Sequence, residues 1–123
     1  MVGIIPADVV MHRKPRGRGL VVLEQTEHAP WPASAGGRIH AHEFHYAGLE
    51  NVDPQACFAY RVIRGYGCDG VNDGFVVGNL LANFAHLRDT EADRWAERFV
   101  GFVRERRSRR TETTRSRYAE LRA

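Results

Sequence analysis

The sequence has no long apolar run. Segments such as Phe75-Val76-Val77 are far too short to cross a bilayer, and nothing resembles a secretory h-region. A soluble cytoplasmic protein with no membrane partner is therefore the expectation. Cysteine is scarce: Cys57 and Cys68 are the only two, in no CxxC spacing. That suits a reducing compartment and argues against a disulfide scaffold. No G-x-x-x-x-G-K-[ST] run occurs, so the chain offers no cradle for nucleotide phosphates. His40 and His42 would share one face of a strand, yet no further Cys/His pair completes a tetrahedral set, so no metal is expected. Excess positive charge is missing from most of the chain. Residues 104–123 hold eight Arg and three Glu, a tail of +5, which leaves −2 on residues 1–103 of a chain at +3. Nucleic-acid binding would have to rest on that tail alone and is disfavoured.

What is there fits one small globular domain. The 123 residues are 43% hydrophobic and 27% charged, enough for a single core. Residues 1–5 read as a buried strand ended by Pro6, and a domain opening in mid-strand suggests that something upstream is missing. Residues 12–19 read as a basic, Gly-rich loop, followed by a β-branched strand at 20–24. The stretch from His28 to Gly37 reads as a loop. Residues 38–46 alternate, with Ile39, Ala41 and Glu43 on one face and His40, His42 and Phe44 on the other. This strand should bend near Phe44. Residues 56–63 form another strand, a Gly-punctuated hairpin follows, and 75–77 and 79–85 are two more short apolar segments. The one helix is expected over 91–106, with Thr90 as N-cap, Glu91 and Asp93 in the first turn, and Ala92, Trp95, Ala96, Phe99 and Val103 on one face. The division is thus residues 1–103 as the ordered part and 104–123 as a frayed or disordered tail.

Three stretches carry a resemblance. They are His42-Glu43-Phe44-His45-Tyr46, then Gly70-Val71-Asn72-Asp73-Gly74-Phe75 running on to Ala82, then Asn83-Phe84-Ala85-His86-Leu87 with the Trp95–Val100 helix. In this order and spacing the chain resembles the C-terminal end of cobyrinic acid a,c-diamide synthase and its relatives. The opening, from Gly3-Ile4-Ile5-Pro6 to Gly17-Arg18-Gly19, is similar to the branch that includes the siroheme amidase linked to dissimilatory sulfite reductase. The resemblance implies an α/β fold: the C-terminal part of a class I glutamine amidotransferase-like sheet, several short strands plus one C-terminal helix.

It also implies a two-part enzyme. A P-loop domain uses ATP and Mg²⁺ to activate a tetrapyrrole carboxylate, and a glutaminase domain hydrolyses glutamine to supply ammonia. Neither the P-loop nor the Gly-rich elbow bearing the cysteine nucleophile is in this sequence. An N-terminal fragment or longer gene product would have to supply both, and the chain alone is expected to be inactive. Glutamine hydrolysis needs a thiolate and an imidazole that takes the thiol proton and later helps ammonia leave. By the family pattern His86 is the candidate for that imidazole; a surface histidine at a strand end is the plain alternative. The branch works as a Cys-His pair, so Glu43 and Asp73 are not needed as orienters. His42 and His45, with Tyr46, are candidates to line the glutamine site or the ammonia exit, or are structural. Arg16 and Arg18, with Arg13 and Lys14, could fork the carboxylates of a tetrapyrrole, or form a solvated loop. Asn79 could hydrogen-bond near the site, or be a turn residue. Two other readings stay open: a non-catalytic remnant that binds a tetrapyrrole through residues 12–19, and a nucleic-acid binder acting through the basic tail.

Overall fold

The computed structural model describes residues 3–31 and 37–120, the last seven by backbone alone. Among these are seven strands: β1 Asp8–Met11, β2 Gly17–Gln25, β3 Arg38–His45, β4 Ala47–Glu50, β5 Cys57–Arg64, β6 Asn72–Val77 and β7 Leu80–Ala82. One helix follows, α1 Trp95–Glu120. The content is α/β, several antiparallel strands and a C-terminal helix, consistent with a piece of a glutamine amidotransferase-like fold. Five strands form one sheet in the order β3-β2-β5-β6-β7, and β1 pairs with β4 separately.

Alternation builds the core. Along β2, Val21 and Leu23 are fully buried while Leu20 points to solvent. Along β3, Ile39, Ala41 and Glu43 point inward and His40, His42 and Phe44 outward, the pattern expected of a half-buried strand. The register Leu23↔Ile39 and Val21↔Ala41 brings these inward sets together, and Ala59, Tyr60 and Ala85 complete the cluster. Each fully buried aliphatic of this kind stabilises by about 1.5–3 kcal/mol. Burial pushes the Tyr60 phenol up to about 12, helped by the nearby Asp93 and Asp73 charges. Gly74 makes room for that ring: at φ 72°, a Cβ there would lie 2.7 Å from Tyr60 Cδ2.

The sheet curls until its edges meet. Beyond β7, His86 pairs with His42 on the free edge of β3, donating its N–H to the His42 carbonyl at 2.6 Å and accepting the His42 N–H at 3.3 Å. A bend at Tyr46 lets β4 leave the main sheet for β1, in the register Asp8↔Glu50 to Met11↔Ala47. The expected bend near Phe44 falls here.

Several expectations need correction. Gly3 to Ile5 are not in a strand, and Met1 and Val2 lie outside the described residues; the first strand starts after Pro6, where its partner is β4. The basic loop ends at Arg16, because Gly17 to Gly19 already pair with His45 to Glu43. Of the 28–37 loop, residues 32–36 lie outside the described residues. The helix begins at Trp95, four residues later than expected. Thr90 and Asp93 exchange backbone hydrogen bonds at 3.1 Å in a separate turn, and Asp89 Oδ1 accepts the Ala96 N–H at 3.1 Å. Asp89, rather than Thr90, thus caps the helix. The helix also continues through the Arg-rich stretch expected to fray, with Arg109 paired to Glu105 at 2.5 Å and Arg106 over the Phe102 ring. Its first turns dock on Trp31, which meets Phe99 and Phe102 edge-on at 5.1 and 5.3 Å. Arg98 ties the same region by an ion pair to Asp93.

Candidate active site

β3 aims its outward side chains at one surface. His40, His42 and Phe44 stand on it, and the register places Val22, Leu20 and Arg18 of β2 opposite them in turn. Leu20 and Phe44 remain 65% and 51% exposed, so this face is open and sets apolar side chains among the histidines and Arg18. His86 joins it from the other side. Its ring lies 6.1 Å from that of His42, tilted by 50°, and both residues are solvent-exposed. The structure therefore brings His86, His42 and Arg18 onto neighbouring positions of one accessible surface. An imidazole so placed can exchange protons with a group docked against it, since neither ring is buried in a core.

His45 faces the other way. One residue beyond the outward set, its Nδ1 donates to the Ala47 carbonyl at 2.7 Å, and its ring stacks on Phe84 at 4.5 Å. Nε2 lies 3.5 Å from Glu43 Oε2, close enough for an ion pair but without a well-aligned hydrogen bond. Gly17 permits this arrangement, because a Cβ there would lie 2.2 Å from Nε2. His42 and His45 are thus separated by the sheet. Tyr46 meets Phe44 edge-on at 5.9 Å beside the exposed face. Arg16 lies with the His45 side: its N–H donates to the His45 carbonyl at 2.9 Å and its guanidinium sits over the Tyr66 ring at 4.9 Å. Asn79, in the β6–β7 turn, shares an open groove with Arg106 and Arg110 of α1 instead of with the histidines.

Neither cysteine resembles a poised nucleophile. Cys68 is buried, and its Sγ donates to Asp73 Oδ1 at 2.9 Å. Burial, then the Asp73 charge, then this hydrogen bond hold its thiol far above the usual cysteine range, so it stays neutral. Cys57 is half-buried where β5 begins, opposite Val76, with Sγ 3.8 Å from the Gln55 carbonyl.

Two carboxylates had no assigned part in the sequence reading. Glu43 is 2% exposed and accepts the N–H groups of Tyr66 and Gly67 at 2.8 and 2.9 Å, pinning the β5–β6 turn under β3. Asp73 is fully buried and accepts from four donors: Cys68 Sγ, the Gly74 and Phe84 N–H groups, and the Ala85 N–H. The signal for Glu43 was visible, a carboxylate on the inward face of an alternating strand. Asp73 gave none, because its partners lie in a turn and a bend that only the register brings together.

The chain is similar over most of its length to proteins described as cobyrinate a,c-diamide synthase. The Magnetococcus marinus protein is 38% identical over 108 residues, 88% of this chain and 23% of the relative. The Halobacterium salinarum protein is 37% identical over 87 residues, covering 71% of this chain and 19% of the relative. The Archaeoglobus fulgidus protein is 34% identical over 100 residues, 81% and 21%. The chain thus spans 19–23% of the length of these curated relatives. No protein-family model matches the chain, and no solved structure matches it.

Proposed function

We propose that this chain is a piece of a cobyrinate a,c-diamide synthase, the piece that carries the glutaminase histidine, His86. What supports the reading most is the similarity to synthases so described over 88% of the chain. The exposed, backbone-pinned His86 is compatible with it. In this reading a cysteine from another stretch of polypeptide docks against the face of His86, His42, Leu20 and Phe44. His86 takes the thiol proton, the thiolate attacks the amide carbon of glutamine, and the imidazolium returns the proton to the departing ammonia. Water then releases glutamate. Ammonia passes to a tetrapyrrole carboxylate activated with ATP and Mg²⁺ in a part of the enzyme that bears the P-loop.

The acceptor we propose is the a and c acetate groups of a corrinoid, with a siroheme-type ring as the finer alternative suggested by the residue 3–19 opening. Arg18, on the His86 face, suits a carboxylate of either acceptor. The chain alone is inactive in this reading, since Cys68 is a neutral buried thiol and Cys57 lies in a strand opposite Val76.

The test is ammonia release from glutamine, by the purified chain alone and mixed with the complementary upstream part of a relative such as the Magnetococcus marinus synthase. We expect none alone, and in the mixture a release that His86→Asn lowers by about 10²–10⁴-fold, the usual weight of a general base. Turnover by the isolated chain, or equal rates for the native and His86→Asn mixtures, would sink the reading.

A further inference from the structure

We infer that Asp73 is the positioning residue of His86, its buried carboxylate holding the backbone that presents the imidazole. The inference rests on the reading of His86 just given. It begins with a hydrogen-bonding deficit. β7 stays in register with β6 only as far as Ala82, opposite Phe75. Past that point the N–H groups of Phe84 and Ala85 have no strand beside them, although Ala85 is buried. A buried, unpaired N–H is costly, so something must accept these two.

Asp73 does so from β6. Its Oδ1 accepts the Phe84 N–H at 3.0 Å and its Oδ2 the Ala85 N–H at 2.8 Å. One residue later, β3 takes over: His86 donates its N–H to the His42 carbonyl and accepts the His42 N–H. Three successive peptide units are thereby gripped, two by a carboxylate from beneath and one by a strand edge. The His86 ring is the part left outside. Asp73 does not orient the ring by touching it, as the acid of a catalytic triad would. It fixes the chain from which the ring extends.

The chemistry requires a carboxylate here. All four groups around Asp73 are donors: the Cys68 thiol, and the N–H groups of Gly74, Phe84 and Ala85. An asparagine of the same shape has one acceptor oxygen, so in either rotamer its NH₂ would face a donor. Oδ1 serves three donors and Oδ2 serves Ala85 alone, so the favoured amide rotamer puts NH₂ against Ala85, next to His86. Cys68 shares the carboxylate while its backbone bonds run to Asn72 and Leu49 and not to residues 84–86, which makes it the control.

The experiment compares Asp73→Asn and Cys68→Ala with the native full chain by ¹⁵N NMR. In Asp73→Asn we expect the Phe84, Ala85 and His86 amides to exchange at least about tenfold faster. The His86 ring resonances should move and the cross-strand contact of His42 with His86 should weaken, while Leu23 and Ile39 are unchanged. Cys68→Ala should leave all of these as in the native chain. In the glutaminase mixture, Asp73→Asn should lower kcat by about tenfold or more, with KM for glutamine within about twofold, since misplacement of a catalytic group by about 1 Å costs up to 10²-fold. A folded Asp73→Asn chain with native exchange and ring shifts overturns the inference. If that variant does not fold, the native chain decides: protected Phe84 and Ala85 amides support the inference, and amides exchanging as fast as an open loop overturn it. Absence of glutaminase from the native mixture counts against the reading of His86, and the exchange data still decide the part of Asp73.

Discussion

Replacing Glu43 by glutamine should destabilise the chain by about 2–4 kcal/mol without unfolding it. The carboxylate is 2% exposed and accepts two backbone N–H groups, Tyr66 at 2.8 Å and Gly67 at 2.9 Å, one on each oxygen. Bonds to a charged acceptor contribute about 1.5–3 kcal/mol each, and a buried donor left unpaired costs about 1–3 kcal/mol. Glutamine keeps one oxygen, so one bond survives in weaker, neutral form. Its NH₂ faces the other N–H, which loses its partner and cannot reach water. The His45 Nε2, 3.5 Å from Oε2, would then face an amide in place of the carboxylate. A domain of this size has about 5–15 kcal/mol in hand, so Glu43→Gln should fold and Glu43→Ala, with two orphaned donors and a void, should fall near the threshold. Urea unfolding followed by tryptophan fluorescence measures this, with m unchanged if the native and unfolded states are otherwise alike. A loss below about 0.5 kcal/mol for Glu43→Gln would show that the β5–β6 turn does not depend on this carboxylate, and the argument from buried donors would fail.

Four further outcomes follow from named contacts. The Tyr60 share of stability should fall by about 2 kcal/mol as pH rises from 10 to 12, because the unfolded chain releases the Tyr60 proton near 10 while the folded chain keeps it to about 12; Tyr60→Phe should remove that portion of the loss. Iodoacetamide at neutral pH should label Cys57 and spare Cys68 in the native chain and label both in urea, read by mass spectrometry, since the Cys68 thiol is buried and neutral. Gly17→Ala should displace the His45 ring, because the added Cβ would lie 2.2 Å from Nε2 and under 3 Å from Glu43; a loss of about 1–3 kcal/mol and a moved His45 ring signal are expected. Trp31→Ala should undock the first turns of α1 by removing two edge-on ring contacts worth about 0.5–1.5 kcal/mol each, seen as faster amide exchange over residues 95–102 with β2 and β3 unaffected.

The local sequence was sufficient wherever one element's own periodicity set the answer. The inward Ile39-Ala41-Glu43 and outward His40-His42-Phe44 faces of β3 are a period of two, readable without knowing what lies opposite. The strand at Cys57–Arg64, the hairpin after it, and a helix bearing Trp95 and Phe99 were legible for the same reason. Element ends were less so. The opening apolar run at residues 3–5 forms no strand, because pairing to β4 begins only at Asp8. The helix start moved to Trp95 because Thr90 and Asp93 close a turn of their own.

The candidate site divides along the same line. His86 was singled out by its place in a family pattern, and the structure displays an exposed histidine, as both the catalytic expectation and the plain surface alternative require. Its neighbour was not identifiable: His42 and His86 are 44 positions apart, and a curled sheet must close before their backbones pair. The same closure puts His45 on the opposite side from His42 and leaves Asn79 beside α1. Glu43 and Asp73 show the limit most clearly. Sequence alone established that two carboxylates lie in or next to apolar strands. Only the tertiary structure decided which buried N–H groups they accept, because a hydrogen bond depends on the position of both partners and local periodicity fixes one.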